Sequence, residues 1–197
     1  MPAPASASSA LPLDELTLRR AQRGDPRAWH DLVTRYAPPI HALVWRLLAG
    51  RSRHRVPDLV QETFVRVLTA LPGFDPAGPA SLSTWMLTIA TRLTLNELRR
   101  PEHAALADHD PRGHAADPAA RADIALDRRR LASAIATGVA QLPDPQRAVL
   151  VLREYHELDY AEIAAVLELD LNTVKSRLSR ARLALRAHLE AHDVDPG

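Results

Sequence analysis

A basic helix with an apolar back, set just behind a shorter capped helix, constrains this chain more than anything else in it. From Asp159 to Leu189 the sequence runs DYAEIAAVLELDLNTVKSRLSRARLALRAHL. Beyond Leu171, the side chains of Lys175, Arg177, Arg180, Arg182 and Arg186 carry positive charge with no acid among them. At about 3.6 residues per turn, Val174, Leu178, Ala181, Leu185 and Leu189 fall on one side of a helix. Thr173, Ser176, Arg177 and Arg180 are then left facing outward near its N-terminal end. The segment before it begins with Asp159 and has Glu162 three residues on, the pattern of a capping box. Ile163, Val166 and Leu167 form its inner face, and Ala164 and Ala165 permit close packing. Asp170 is placed to cap the second helix and to complement its positive end. Two short helices so joined predict a helix-turn-helix whose second member enters the major groove of DNA. A merely solvated charged helix would not need the capped partner in front of it.

Composition narrows the remaining choices. The 197 residues suffice for one large or two small domains, and 46% of them are hydrophobic. Frequent Ala, Leu and Arg with few β-branched runs favour helices. The formal net charge of +1 says little, because the charges are segregated along the chain. Cysteine is absent, which excludes disulfides, thiolate metal sites and cysteine nucleophiles. His103, His109 and His114 form no helical i,i+4 pair and have no carboxylate set around them, so no metal site is expected. No phosphate-cradling glycine loop, clustered acids or nucleophile motif is found, so neither catalysis nor a cofactor is expected. The opening MPAPASASSALP is low in complexity, with neither a basic start nor an apolar run. It reads as a disordered tail over residues 1–12, not a secretory signal. No segment reaches the roughly 18 to 20 apolar residues of a membrane span, so a cytoplasmic protein without membrane insertion is expected.

Further helices precede the first motif. Asp25-Pro26 is a cap followed by a first-turn proline. Trp29, Leu32, Val33, Tyr36, Ile40, Leu43, Val44 and Leu47 keep helical spacing behind it, with a kink or break expected at Pro38-Pro39. Arg51, Arg53, His54 and Arg55 make a basic loop. A helix from Pro57 to about Leu71 has Leu59, Val60, Phe64, Val67, Leu68 and Leu71 as apolar positions. PGFDPAGPASLS, from Pro72 to Ser83, must be a loop, and a further helix follows from about Thr84 to Arg100, with Trp85 as a core anchor. Between Pro101 and Asp127, Glu102, Asp108, Asp110, Asp117, Asp123 and Asp127 stand against only Arg112 and Arg121, a composition suited to a mobile acidic linker. After it, Leu131, Ile135, Val139 and Leu142 mark a helix, and Asp144-Pro145 starts another with Asp144 as cap. The chain is therefore expected to be all-α, with two small helical domains joined by a flexible linker and the helix-turn-helix in the second. The boundaries are a tail at 1–12, domains at 13–100 and 126–190, a linker at 101–125 and a tail at 191–197.

DLVQETFVRVL, then STWMLTIATRLTLNELRR, then LPDPQRAVLVLREYHELDYAEIAAVLELDLNTVKSRLSRARLAL resembles an extracytoplasmic-function (group 4) sigma factor of the sigma-70 family. The likeness extends from Leu13 to Leu189. It implies a non-catalytic initiation subunit that binds core RNA polymerase and recognises promoter DNA at −10 and −35 elements. Asp58, Leu59, Gln61, Glu62 and Val65 are the implied polymerase-docking residues, and Asp58, Gln61, Glu62 and Val65 can share an exposed face around an apolar contact. Arg92, Asn96, Arg99 and Arg100 are implied at the melted −10 strand. Arg92 stands where Asn is common in the family, and Asn96 where Asp is common. Asn172, Thr173, Lys175, Ser176, Arg177 and Arg180 are implied at −35. Two turn positions also depart: Glu168 and Asn172 each replace a frequent Gly and would carry any positive φ required there. The resemblance further implies that the linker passes through the polymerase towards the RNA exit path. It implies an anti-sigma factor as a further partner, and the free chain is expected to be a monomer. A DNA-binding regulator acting without polymerase explains the second half but leaves DLVQETF without purpose. A DNA-acting enzyme lacks its chemistry altogether.

Overall fold

The computed structural model describes residues 13–100 and 122–191, with side chains omitted for 122–127. The polar tail at 1–12, the histidines at 103, 109 and 114, and the linker through residue 121 lie outside the described residues. All regular structure within them is helical.

The first half contains α1 (Glu15–Gln22), α2 (Pro26–Leu48), α3 (Val56–Ala70) and α4 (Leu82–Leu98). The short α1 has no counterpart among the sequence expectations. Its start is nevertheless written in the chain: the Asp14 carboxylate accepts from the Thr17 backbone N–H at 2.9 Å and from its hydroxyl at 2.7 Å. At eight residues it offers too few turns for periodicity to declare itself. It is anchored through Gln22, whose amide donates to the carbonyls of Leu71 and Phe74, fastening the loop that leads into α4.

Of the kink or break expected at Pro38-Pro39, the break does not occur, since α2 runs unbroken from Pro26 to Leu48. Each proline removes a helical hydrogen bond. However, Leu32, Tyr36, Pro39, Ile40, Leu43 and Leu47 are all buried on one face. Burying large apolar side chains contributes about 1.5–3 kcal/mol apiece, which outweighs the proline penalty of about 3 kcal/mol. Against this face pack Leu59, Phe64 and Val67 of α3, with Met86, Leu87 and Ala90 of α4. α4 begins where Ser81 accepts from the Thr84 N–H. Trp85 is half-buried, its ring 5.0 Å from Phe74.

The second half contains α5 (Ala122–Gln141), α6 (Asp144–Glu154), α7 (Tyr160–Leu167) and α8 (Leu171–Ala191). Val149, Leu152, Ile163, Val166, Val174, Leu178 and Ala181 make its interior. Asp144 does not cap α6 as expected: Pro143 holds the cap position, and the Asp144 carboxylate pairs with Arg51 and Arg147. Arg147 is only 2% exposed. Its guanidinium donates to the carbonyls of Leu47 at 3.0 Å, Ala140 at 3.1 Å and Leu142 at 2.8 Å. The charge is buried but fully engaged, the condition under which a buried ion is tolerated.

Leu47 belongs to α2, so Arg147 ties the two halves together. They pack as one body, α2 against α5 and α6 and α4 against α7, around a continuous apolar cluster. Arg46 lies 4.2 Å from the Tyr155 ring centroid, a cation–π contact across the same seam.

Candidate nucleic-acid interface

The helix-turn-helix forms through its caps. Asp159 accepts from the Glu162 N–H at 2.8 Å and Glu162 returns the bond to the Asp159 N–H at 2.9 Å, completing the capping box. Asp170 accepts from both the N–H and the hydroxyl of Thr173, and those bonds, the hydroxyl's first, hold its carboxyl below the usual value. Between the helices Glu168 takes φ 55° and ψ 49°. A residue with a Cβ adopts that left-handed conformation at a cost of about 1–2 kcal/mol. Asn172 is different from expectation: it lies inside α8 and is not among the positive-φ residues, so its side chain carries no turn.

On α8 the apolar back is as predicted, with Val174, Leu178 and Ala181 buried. Asn172, Lys175 and Arg180 are exposed, while Thr173, Ser176 and Arg177 are half-buried beside them. Ser176 donates to the Thr173 carbonyl, leaving its oxygen available as an acceptor. Arg182 is already paired at the surface: it donates to the Glu154 carboxylate through two nitrogens, and that hydrogen bond raises its pKa. The front of α8 therefore offers cations and hydroxyls along its first three turns.

The other predicted cations cluster at the end of α4. Arg99 donates to Asn96 Oδ1 at 3.2 Å, and Arg100 pairs with Glu97 at 3.3 Å. Glu97 also receives Arg55 at 3.0 Å, a hydrogen bond that raises the Arg55 pKa. Arg92, one turn earlier, pairs with Glu168 of the helix-turn-helix at 2.9 Å.

On α3 the predicted docking residues divide. Asp58, Gln61, Glu62 and Val65 are exposed, with Asp58 held by Arg55 and Glu62 by Arg66. Leu59 is a correction: at 2% exposure it faces the core, because it lies on the Val56–Thr63–Val67 side of the helix. Leu68 is the converse. The sequence pattern assigns it to the core, yet it is 48% exposed beside Val65 at 56%. The signal was its spacing, since Gln61, Val65 and Leu68 stand at i, i+4 and i+7 on one face. The resulting surface is an apolar pair flanked by Asp58, Gln61 and Glu62.

At the seam between the halves a cleft of about 720 Å³ is lined by Leu18, Tyr36, Phe74, Leu82, Leu158 and His156, among others. The His156 ring is 6% exposed, and neither nitrogen has a hydrogen-bond partner among the described residues. Burial, with a further push from Arg46, lowers its pKa to about 4.

Comparison with known proteins agrees with this geometry. Residues 32–103 match sigma-70 region 2, and residues 133–185 match sigma-70 region 4. The ECF RNA polymerase sigma factor SigW of Bacillus subtilis is 32% identical over 181 residues, covering 87% of this chain and 94% of that one. The chain belongs to the extracytoplasmic-function RNA polymerase sigma factors. It is thus a transcription initiation subunit without a catalytic step of its own. CnrH, solved in complex with the cytosolic domain of CnrY, superposes with a TM-score of 0.63 at 27% identity, over 90% of this chain and 97% of that one. The sigma factor RpoE of Bartonella quintana, solved with the anti-sigma factor NepR, shares the fold with a TM-score of 0.62 at 20% identity, over 82% and 96% of the two chains.

Proposed function

We propose that this sigma factor belongs to group 4 and divides its work between three surfaces. The exposed face of α3 (Asp58, Gln61, Glu62, Val65, with Leu68) docks on core RNA polymerase. The end of α4 (Arg92, Asn96, Arg99, Arg100) follows the melted −10 strand. The front of α8 (Asn172, Thr173, Lys175, Ser176, Arg177, Arg180) enters the major groove at −35. The first two surfaces belong to a domain spanning 13–100 and the third to one spanning 126–190, joined by the linker at 101–125, whose last four residues already belong to α5. Two modest DNA contacts on one tether give affinity through effective concentration and specificity through spacing.

The observation that carries the reading is the orientation of α8. Its apolar residues are buried and its exposed N-terminal half carries Asn172, Lys175 and Arg180, the side chains that read bases and phosphates. α3 adds what a plain DNA-binding regulator would lack, an apolar pair ringed by acids and facing solvent. The setting is the cytoplasm, the free chain is a monomer, and an anti-sigma factor is its natural inhibitor.

Run-off transcription by core RNA polymerase on a library of upstream fragments tests this. Start-specific transcripts are expected only when the protein is added. Arg177→Ala should weaken −35-dependent initiation and leave core binding intact, whereas Asp58→Ala with Glu62→Ala should do the reverse. Equal loss of the same function in both would refute the division of labour. Absence of core binding by the unaltered protein would favour the regulator.

A further inference from the structure

The seam between the halves places two carboxylates of the helix-turn-helix on one helix of the first domain. Glu162 Oε1 accepts from the Thr84 hydroxyl at 2.8 Å, and Glu168 Oε1 meets the Arg92 guanidinium at 2.9 Å. Glu162 has a second task in the capping box, but Glu168 has none in its turn. The turn is closed by backbone bonds alone, the N–H groups of Glu168 and Leu169 both donating to the Ala164 carbonyl. A residue in a left-handed conformation that favours glycine thus keeps a long acidic side chain whose partner lies in the other domain.

Arg92 is the cation of the −10 group nearest the second domain's turn. A guanidinium offers a planar fork that accepts a carboxylate and a phosphate in the same way. The carboxylate at 2.9 Å therefore occupies the place a DNA phosphate oxygen would take. The front of α8, by contrast, is uncovered: Asn172, Lys175 and Arg180 remain exposed in the same arrangement.

We propose that Glu168 is an intramolecular decoy for the promoter backbone, holding Arg92 in the free chain so that the −10-reading helix is partly occupied while the −35-reading helix stays open. The inference rests on the functional reading of α4 and α8 above and adds a competitor to it. The pair is half-exposed, with side-chain accessibilities of 52% and 75%. It is therefore a light restraint, worth up to about fivefold in an equilibrium constant at low salt. Promoter engagement replaces Glu168 with phosphate at Arg92, and the Thr84–Glu162 contact is a separate step.

The test is fluorescence anisotropy of a labelled 20-nucleotide single-stranded DNA of mixed sequence, titrated with the full chain at low and high salt. Glu168→Gln keeps the side-chain length and backbone demand and removes the charge. It is expected to bind about two- to fivefold tighter than the unaltered chain, with the gain shrinking as salt rises. Glu190→Gln, which removes an exposed acid elsewhere, controls for net charge. In an Arg92→Ala background the Glu168→Gln gain should fall to that of Glu190→Gln. A gain no larger than that of Glu190→Gln, or one that stays above it without Arg92, would overturn the decoy. So would the lack of measurable single-strand binding by either protein. Run-off transcription with core polymerase judges the parent reading separately, because the anisotropy assay contains no polymerase.

Discussion

Arg147 and His156 are the two polar side chains whose burial matters most, and they behave oppositely. Arg147 has a partner for its charge and three carbonyls for its N–H groups. Arg147→Met should therefore cost about 2–4 kcal/mol in urea unfolding, since it leaves those three buried carbonyls without their donor and Asp144 with Arg51 alone. Arg147→Lys should not rescue it, because a point charge on a flexible stem cannot serve three acceptors arranged for a fork. His156 has no such satisfaction, and burial holds it neutral with a pKa of about 4 against an ordinary 6.5. The unfolded chain takes up a proton near pH 6.5 that the folded chain refuses. Stability is thus fully present above that pH, falls as pH drops towards 4, and levels off below. The loss is of the order of 3 kcal/mol. Melting temperatures measured between pH 7 and 4 should fall steeply for the unaltered protein and more gently for His156→Leu. Superimposable pH profiles would show that His156 titrates normally. Neither role was legible in the sequence. Nothing in the local sequence marks either residue for burial, which comes from packing against elements distant in the chain.

At the level of elements, periodicity and caps located α3, α4, α7 and α8 to within a residue or two. In those helices, Leu68 of α3 apart, the local signals and the tertiary packing agree. Leu59 is buried as its apolar spacing implies, against the docking role taken from the family resemblance, while Leu68 stays exposed. Elsewhere tertiary burial overrides local preference. It carries α2 through two prolines. It draws Asp144 from a cap to a pair of arginines. Gly138 shows the same override in reverse. A glycine inside a helix usually gains close to 1 kcal/mol on replacement by Ala. Here α5 crosses α8 closely enough that a Cβ would stand 2.6 Å from Leu185 Cδ1 and 2.8 Å from a His188 ring carbon. Gly138→Ala should therefore destabilise the protein, by about 1–2 kcal/mol once the intrinsic gain is subtracted. Urea denaturation gives the sign directly. A stabilised variant would mean that Leu185 and His188 move aside without cost.

The molecule as a whole is a closed arrangement of surfaces that must act at separate places. The proposed −10 and −35 readers would act on elements some 25 base pairs apart on one DNA, whereas the contact of α4 with α7 holds them side by side. At about 3.4 Å per base pair that separation is far longer than the width of either domain. The closed form can accordingly offer α8 to duplex DNA, but it cannot span a promoter. Opening, which parts Arg92 from Glu168, is expected when core polymerase and promoter are bound together, because they would hold the domains apart and replace the lost contacts with new ones. The absence of cysteine makes this testable with a covalent clamp. Thr84→Cys with Glu162→Cys replaces a hydrogen-bonded pair across the seam, and a short dimaleimide carrying an internal disulfide would bridge them. The bridged protein should still bind a −35 duplex, since the front of α8 is untouched, but should give no run-off transcript. Reduction of the bridge should restore transcription to the level of the unbridged double variant, which separates the clamp from the substitutions themselves. If the bridged protein initiated as well as the reduced one, the closed arrangement would be compatible with the promoter and the opening step would not exist.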